Sequence, residues 1–139
     1  MRTAVDSCVL FDVLGSDPRF GDGSRAALRR AYDAGALLAC EVVWAEVRAH
    51  FPGESAFEGA MSKLGIRFDP IEPAAARLAG ELWRGARRRV ARQPRTRVVA
   101  DFLLGAHALR QADAFLTRDD RFYRSTFAGL RVIAPGDPA

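Results

Sequence analysis

Asp6, Glu46, Asp101 and Asp119 are the side chains of this sequence whose type and spacing suit chemistry. Asp6 directly follows the apolar stretch 3–5, and Asp119 follows the stretch 114–116 through Thr117 and Arg118. Taken singly, each has an ordinary use as a helix cap or turn residue. Glu46, between Ala45 and Val47, could equally be a surface glutamate paired with His50 at i+4. Asp101 is different, because it interrupts the run Val98-Val99-Ala100-Asp101-Phe102-Leu103-Leu104. On a helix buried on most sides, an unpaired carboxylate costs several kcal/mol or is forced neutral. A metal ion, a nearby arginine or a first-turn helix dipole would compensate it, and Gly105 and Ala108 keep the adjoining side low, leaving space beside it. The conjunction favours a site. Independent surface acids have no reason to fall on four separate strand–helix junctions, whereas a hard divalent cation draws carboxylate oxygens from distant parts of a chain. One or two Mg²⁺ or Mn²⁺ ions neutralise such a cluster, generate hydroxide from bound water and stabilise in-line displacement at phosphorus. Phosphodiester hydrolysis is the reaction this composition suits.

Those acids need a scaffold that brings them together. Apolar, β-prone stretches at 3–5, 36–40, 66–71, 114–116 and 130–133 alternate with helical patterns at 9–14, 25–33, 42–51, 55–64, 73–90, 98–109 and 122–127. Pro73 suits a first helical turn, Ala75, Leu78, Ala79, Leu82, Ala86 and Val90 form an apolar stripe, and Pro94 is expected to close that helix. The alternation predicts an α/β fold with a central, mostly parallel sheet flanked by helices. In such sheets ligands gather outside the carboxyl ends of the strands, where Asp6 and Asp119 meet if their strands are parallel. No internal repeat or linker divides the 139 residues, so one domain over 1–139 is expected.

Composition narrows the partners. The apolar fraction is 49% and the charged fraction 27%, both ordinary for globular proteins. No apolar run is long enough to span a membrane, and Asp6 interrupts any signal-peptide hydrophobic region, so a cytoplasmic location is expected. Cys8 and Cys40 lie among apolar neighbours and read as inert thiols in a reducing compartment. With two histidines and no zinc spacing, a metal here should be oxygen-liking. The net charge is +4, almost all of the positive charge being arginine. Arg84, Arg88 and Arg92 recur at i+4 away from the apolar stripe of their helix, a row able to follow a phosphate backbone. Arg87, Arg89, Arg95 and Arg97 crowd the same region.

Four segments then carry a resemblance. Residues 5–14, opening Val5-Asp6-Ser7, resemble the first strand and helix of PIN-domain nucleases, in particular the VapC-like toxins of bacterial toxin–antitoxin pairs. Val42-Val43-Trp44-Ala45-Glu46-Val47 resembles the helix bearing that family's second acid. Asp101-Phe102-Leu103-Leu104-Gly105-Ala106-His107-Ala108 is similar to the segment opened by the third, and Leu116-Thr117-Arg118-Asp119-Asp120-Arg121-Phe122-Tyr123 to the fourth-acid motif. Each motif is short, but the four occur in order over nearly the whole chain. The resemblance implies a PIN-like three-layer fold and a Mg²⁺- or Mn²⁺-dependent endoribonuclease with Asp6, Glu46, Asp101 and Asp119 as catalytic and metal-binding acids. It also places Ser7 and Thr117 near the substrate. A cognate antitoxin whose tail covers the acidic groove, an RNA substrate and a homodimer are implied as well. Two departures stand out: Asp120 adjoins Asp119 and could share its role, and Cys40 stands where many relatives carry a small hydroxyl residue.

Three rival functions compete. A receiver-like phosphoacceptor domain lacks its lysine after a late strand, since Lys63 is the only lysine and precedes the stretch 66–71. A PIN-like module that only binds RNA or protein would have no use for all four acids. A housekeeping RNA-maturation nuclease shares the same chemistry and differs in substrate and in lacking an antitoxin.

Overall fold

The computed structural model describes residues 1–89 and 97–138. Its elements are β1 (Arg2–Val5), α1 (Ser7–Leu14), α2 (Gly21–Ala34), β2 (Ala36–Ala39), α3 (Glu41–Arg48), α4 (Glu54–Leu64), β3 (Ile66–Phe68), α5 (Pro73–Arg89), α6 (Val99–Gln111), β4 (Ala114–Leu116), α7 (Asp120–Thr126) and β5 (Val132–Ile133). The strands form one sheet in the order β3-β2-β1-β4-β5, and every pairing in it is parallel. Ala4 pairs with Leu38 on one side and Phe115 on the other, so β1 is central and buried on both faces. This is why β1, β2 and β4 read as continuous apolar runs without alternation.

Strand order runs outward from β1 through β2 to β3, then returns to β4 on β1's other side. Right-handed crossovers therefore put α1–α4 on one face and α5–α7 on the other. The packing agrees: α1 contacts α2 and α3, α3 contacts α4, and α5 lies along α6. The Glu72 amide donates to Gln111 Oε1 at 2.8 Å, which joins the start of α5 to the end of α6 and makes the pair antiparallel. Val9, Leu10, Val43, Val47, Phe57 and Met61 fill the core on the first side; Phe102, Leu104, Tyr123 and Phe127 fill it on the second.

Several boundaries differ from the sequence reading. The third helix ends at Arg48, short of Phe51, because Phe51 precedes Pro52 and is disfavoured in the helical region. The Arg48 guanidinium then donates to the Phe51 carbonyl at 2.9 Å and to Glu54 at 3.0 Å, fixing the turn. The stretch 66–71 is strand only to Phe68, since Pro70 has no amide to donate. The second helix begins earlier, at Gly21, after Asp17 Oδ1 accepts the Arg19 and Phe20 amides. The expected helix end around Val90 and Pro94 lies outside the described residues.

Candidate active site

The strand order reverses between β1 and β4, and the loops leaving the carboxyl ends of these two strands are adjacent. Asp6 leaves β1 as the N-cap residue of α1, and Asp119 stands at the N-cap of α7, yet neither side chain caps its helix. The capping role is thus unfilled by both carboxylates. Asp6 is buried, and its Oδ2 accepts the Thr117 hydroxyl at 2.7 Å. The same hydroxyl oxygen accepts the Asp119 amide at 3.0 Å, so fully buried Thr117 ties the two loops together. Cys8 Sγ adjoins it at 3.9 Å.

Burial pushes the Asp6 carboxyl up from its ordinary value; hydrogen bonds from Thr117 and the Ser7 amide pull it back, and the charge of Asp119 raises it again. Glu46, on α3, is also raised, first by desolvation and then by the charge of Asp6, against a hydrogen bond from Ser7; Asp101 adds to the rise. The His50 pairing expected for Glu46 takes another form: His50 Nδ1 lies 3.3 Å from the Glu46 carbonyl, and its ring stacks on Phe11. Glu46's carboxylate faces the other acids.

Asp101 occupies the first turn of α6, where its Oδ2 accepts the Val98 amide at 3.2 Å. It is half-buried, because it lies at the exposed start of the helix beside Val98 and Val99, while the rest of α6 from Phe102 to Ala108 is largely buried as expected. The first-turn dipole and the Val98 amide supply part of its compensation. The space expected beside Gly105 is taken: a Cβ there would overlap the Phe127 ring, so this glycine serves packing of α6 on the α7 end.

Asp119 is engaged by Arg97. One guanidinium nitrogen meets Oδ2 in a very short contact and another meets Oδ1 at 3.2 Å, while the group lies 4.1 Å over the Phe122 ring. Arg97 feels Asp101 as well as Asp119. Asp6, Asp101 and Asp119 together raise the buried Tyr123 hydroxyl, after desolvation, beyond its ordinary range. These mutual influences make the four predicted acids one electrostatic cluster, contributed by β1, α3, α6 and β4.

The remaining candidates separate. Ser7 and Thr117 are within the cluster. Asp120 is turned away, pairing with Arg124 at 2.7 Å, which also holds Asp137 at 3.1 Å. Arg84 and Arg88 are exposed on the part of α5 that runs toward the Asp101 end of α6. Arg92 lies outside the described residues, as does Arg95. Sequence reasoning missed the placement of Arg97 on Asp119, of Tyr123 against three carboxylates, and of Arg118, which leaves the cluster to hold buried Asp12 at 2.7 Å and 3.1 Å. Ser24 donates to the same Asp12 carboxylate at 2.7 Å.

Oxygen-only donors of like charge suit a hard divalent cation, so the residues fit Mg²⁺ or Mn²⁺ in chemistry. Among the described residues, no three acidic, histidine or cysteine side chains are already gathered into a finished ion cage. Asp6, Glu46 and Asp101 are the residues that could hold such a cation, while Asp119 is engaged by Arg97.

The PIN-domain pattern matches residues 3–128, which is nearly the whole chain, and the chain belongs to the PIN-domain family. Its fold is similar to VapBC2 from Rickettsia felis, solved bound to a DNA fragment from their promoter, with TM-score 0.69, 14% identity and coverage of 96% of this chain and 98% of that one. FitAcB from Neisseria gonorrhoeae matches with TM-score 0.66 at 17% identity over 98% and 99%. A toxin–antitoxin complex from Klebsiella pneumoniae matches with TM-score 0.64 at 20% identity over 96% and 97%. No curated protein sequence matches the chain.

Proposed function

We propose that this chain is a Mg²⁺- or Mn²⁺-dependent endoribonuclease of the VapC-like toxin type, acting in the cytoplasm as a single PIN domain and neutralised by a cognate antitoxin. The observation that carries the reading is the convergence of Asp6, Glu46, Asp101 and Asp119 on one spot from four separate elements, with neither Asp6 nor Asp119 spent on capping. When bound, the metal supplies a polarised phosphoryl oxygen and a water acidic enough to attack at neutral pH. Asp6, Glu46 and Asp101 orient that ion. Thr117 fixes the Asp6 carboxylate by its hydroxyl and sets the distance between the β1 and β4 loops. Ser7 steadies Glu46. Exposed Arg84 and Arg88, joined by Arg92, hold the backbone of the RNA on the approach to the cluster.

The toxin assignment draws on the likeness to VapBC2 and to the Klebsiella pneumoniae complex, the second of which is described as a toxin–antitoxin complex. An antitoxin tail that covers the acids, and a homodimer, belong to the same reading. The test is cleavage of total cellular RNA by purified, antitoxin-free protein with Mg²⁺ or Mn²⁺, against EDTA and Asp101→Asn controls. Metal-dependent cutting that disappears in the variant is expected. A folded protein that cuts nothing with either metal would sink the nuclease reading.

A further inference from the structure

The cluster contains a cation of its own. Arg97 engages both oxygens of Asp119, the geometry in which a guanidinium binds a carboxylate most strongly. Its side chain is 22% exposed and is covered by Phe122, so the guanidinium is partly shielded from solvent, while the Asp119 side chain is 40% exposed and open to an incoming ion. The same guanidinium feels Asp101. A divalent ion that takes an oxygen of Asp119 must therefore compete with this fork for that oxygen's electron density and work against a fixed positive charge.

We propose that Arg97 is the cluster's resident counter-cation, competing with the divalent metal for Asp119 and so setting how tightly that metal is held. This rests on the metal-site reading above. Arg97 is a positioning residue in this role: it keeps Asp119 ordered and charge-balanced between metal-binding events, and it limits occupancy of the site. The guanidinium it frees on metal binding is then available to a phosphate, for which its fork of donors is suited.

The test is calorimetric titration of the full chain with Mn²⁺ alone, in the absence of RNA. Arg97→Gln is expected to bind Mn²⁺ at least tenfold more tightly than the native protein. Arg121→Gln, which removes an exposed arginine of α7, should stay within twofold, showing that the effect is local competition and not net charge. Should Arg97→Gln not fold by circular dichroism, Arg97→Lys takes its place; it keeps one charge without the fork and should tighten binding at least threefold. If native protein binds Mn²⁺, loses it in Asp101→Asn, and the Arg97 variant binds equally or more weakly, the competition is refuted while the site stands. If neither native protein nor the Arg97 variant binds Mn²⁺, the inference falls together with the metal site.

Discussion

Asp6 combines two demands that oppose each other. The proposed metal site asks for an ionised carboxylate, while burial and the charge of Asp119 favour the neutral acid. A carboxyl raised in the folded state weakens the fold where it must be ionised, above its folded pKa, and the penalty fades as pH falls toward the ordinary value of 3.8. Asp6→Asn keeps the volume and an oxygen to accept the Thr117 hydroxyl. It is expected to melt at a higher temperature than the native chain at pH 7, with the gap closing near pH 4 in thermal unfolding followed by circular dichroism. The same variant should lose RNA cleavage by at least ~100-fold, since even outer-shell partners of metal sites are worth 10- to 100-fold. Equal melting at both pH values would show that Asp6 carries no such strain. Asp6 and Asp119 stand at strand–helix junctions, where the alternation of elements made them legible from sequence, whereas Glu46 lies within α3 and Asp101 in the first turn of α6 after another helix. Arg97 was one of several arginines in a run, and its partner is 22 residues away. No local pattern distinguishes it from Arg95 or Arg92.

The elements explain what else the sequence could and could not show. Parallel order and the strand–helix alternation follow from apolar runs and breakers, and they place Asp6 and Asp119 side by side with no further information. Helix ends were less legible where a side chain or proline intervened, as with Arg48 and Pro52 after α3. Gly105 is the clearest misreading: its lack of a side chain suggested room for a ligand, but tertiary packing fills that room with Phe127. Periodicity cannot reveal this, because the partner comes from a different element. Gly105→Ala is therefore expected to destabilise the fold by about 1–3 kcal/mol through overpacking of α6 against Phe127. Urea unfolding would measure it, and an unchanged midpoint would mean the ring moves aside freely. Because α6 also carries Asp101, four residues earlier on the same face, Mn²⁺ affinity should weaken in this variant as well.

For the molecule as a whole, charge is unevenly used. The net charge of +4 coexists with an acidic centre, and exposed Arg84 and Arg88 lie on the part of α5 that runs toward the Asp101 end of α6. Binding of single-stranded RNA should weaken linearly in log–log terms with added salt, and removing one arginine that meets a phosphate should reduce the slope by ~0.7. Arg84→Gln with Arg88→Gln is expected to reduce it by about 1.4, twice that figure. Fluorescence anisotropy across a salt series, with EDTA to prevent turnover, reads this directly; an unchanged slope would remove α5 from the RNA path.

The junction of β1 with β4 has a further consequence, in time. Asp6 is made well before the strand that seats beside β1 and the Thr117 hydroxyl that fixes its carboxylate, which follows it by 111 residues. A nascent chain emerging from the ribosome carries Asp6, Glu46 and then Asp101 with nothing to assemble them. The centre comes into being only when residues 114–119 are free to join the sheet. On the proposed nuclease reading, a chain whose synthesis has not passed residue 119 has no assembled centre with which to attack the RNAs around it.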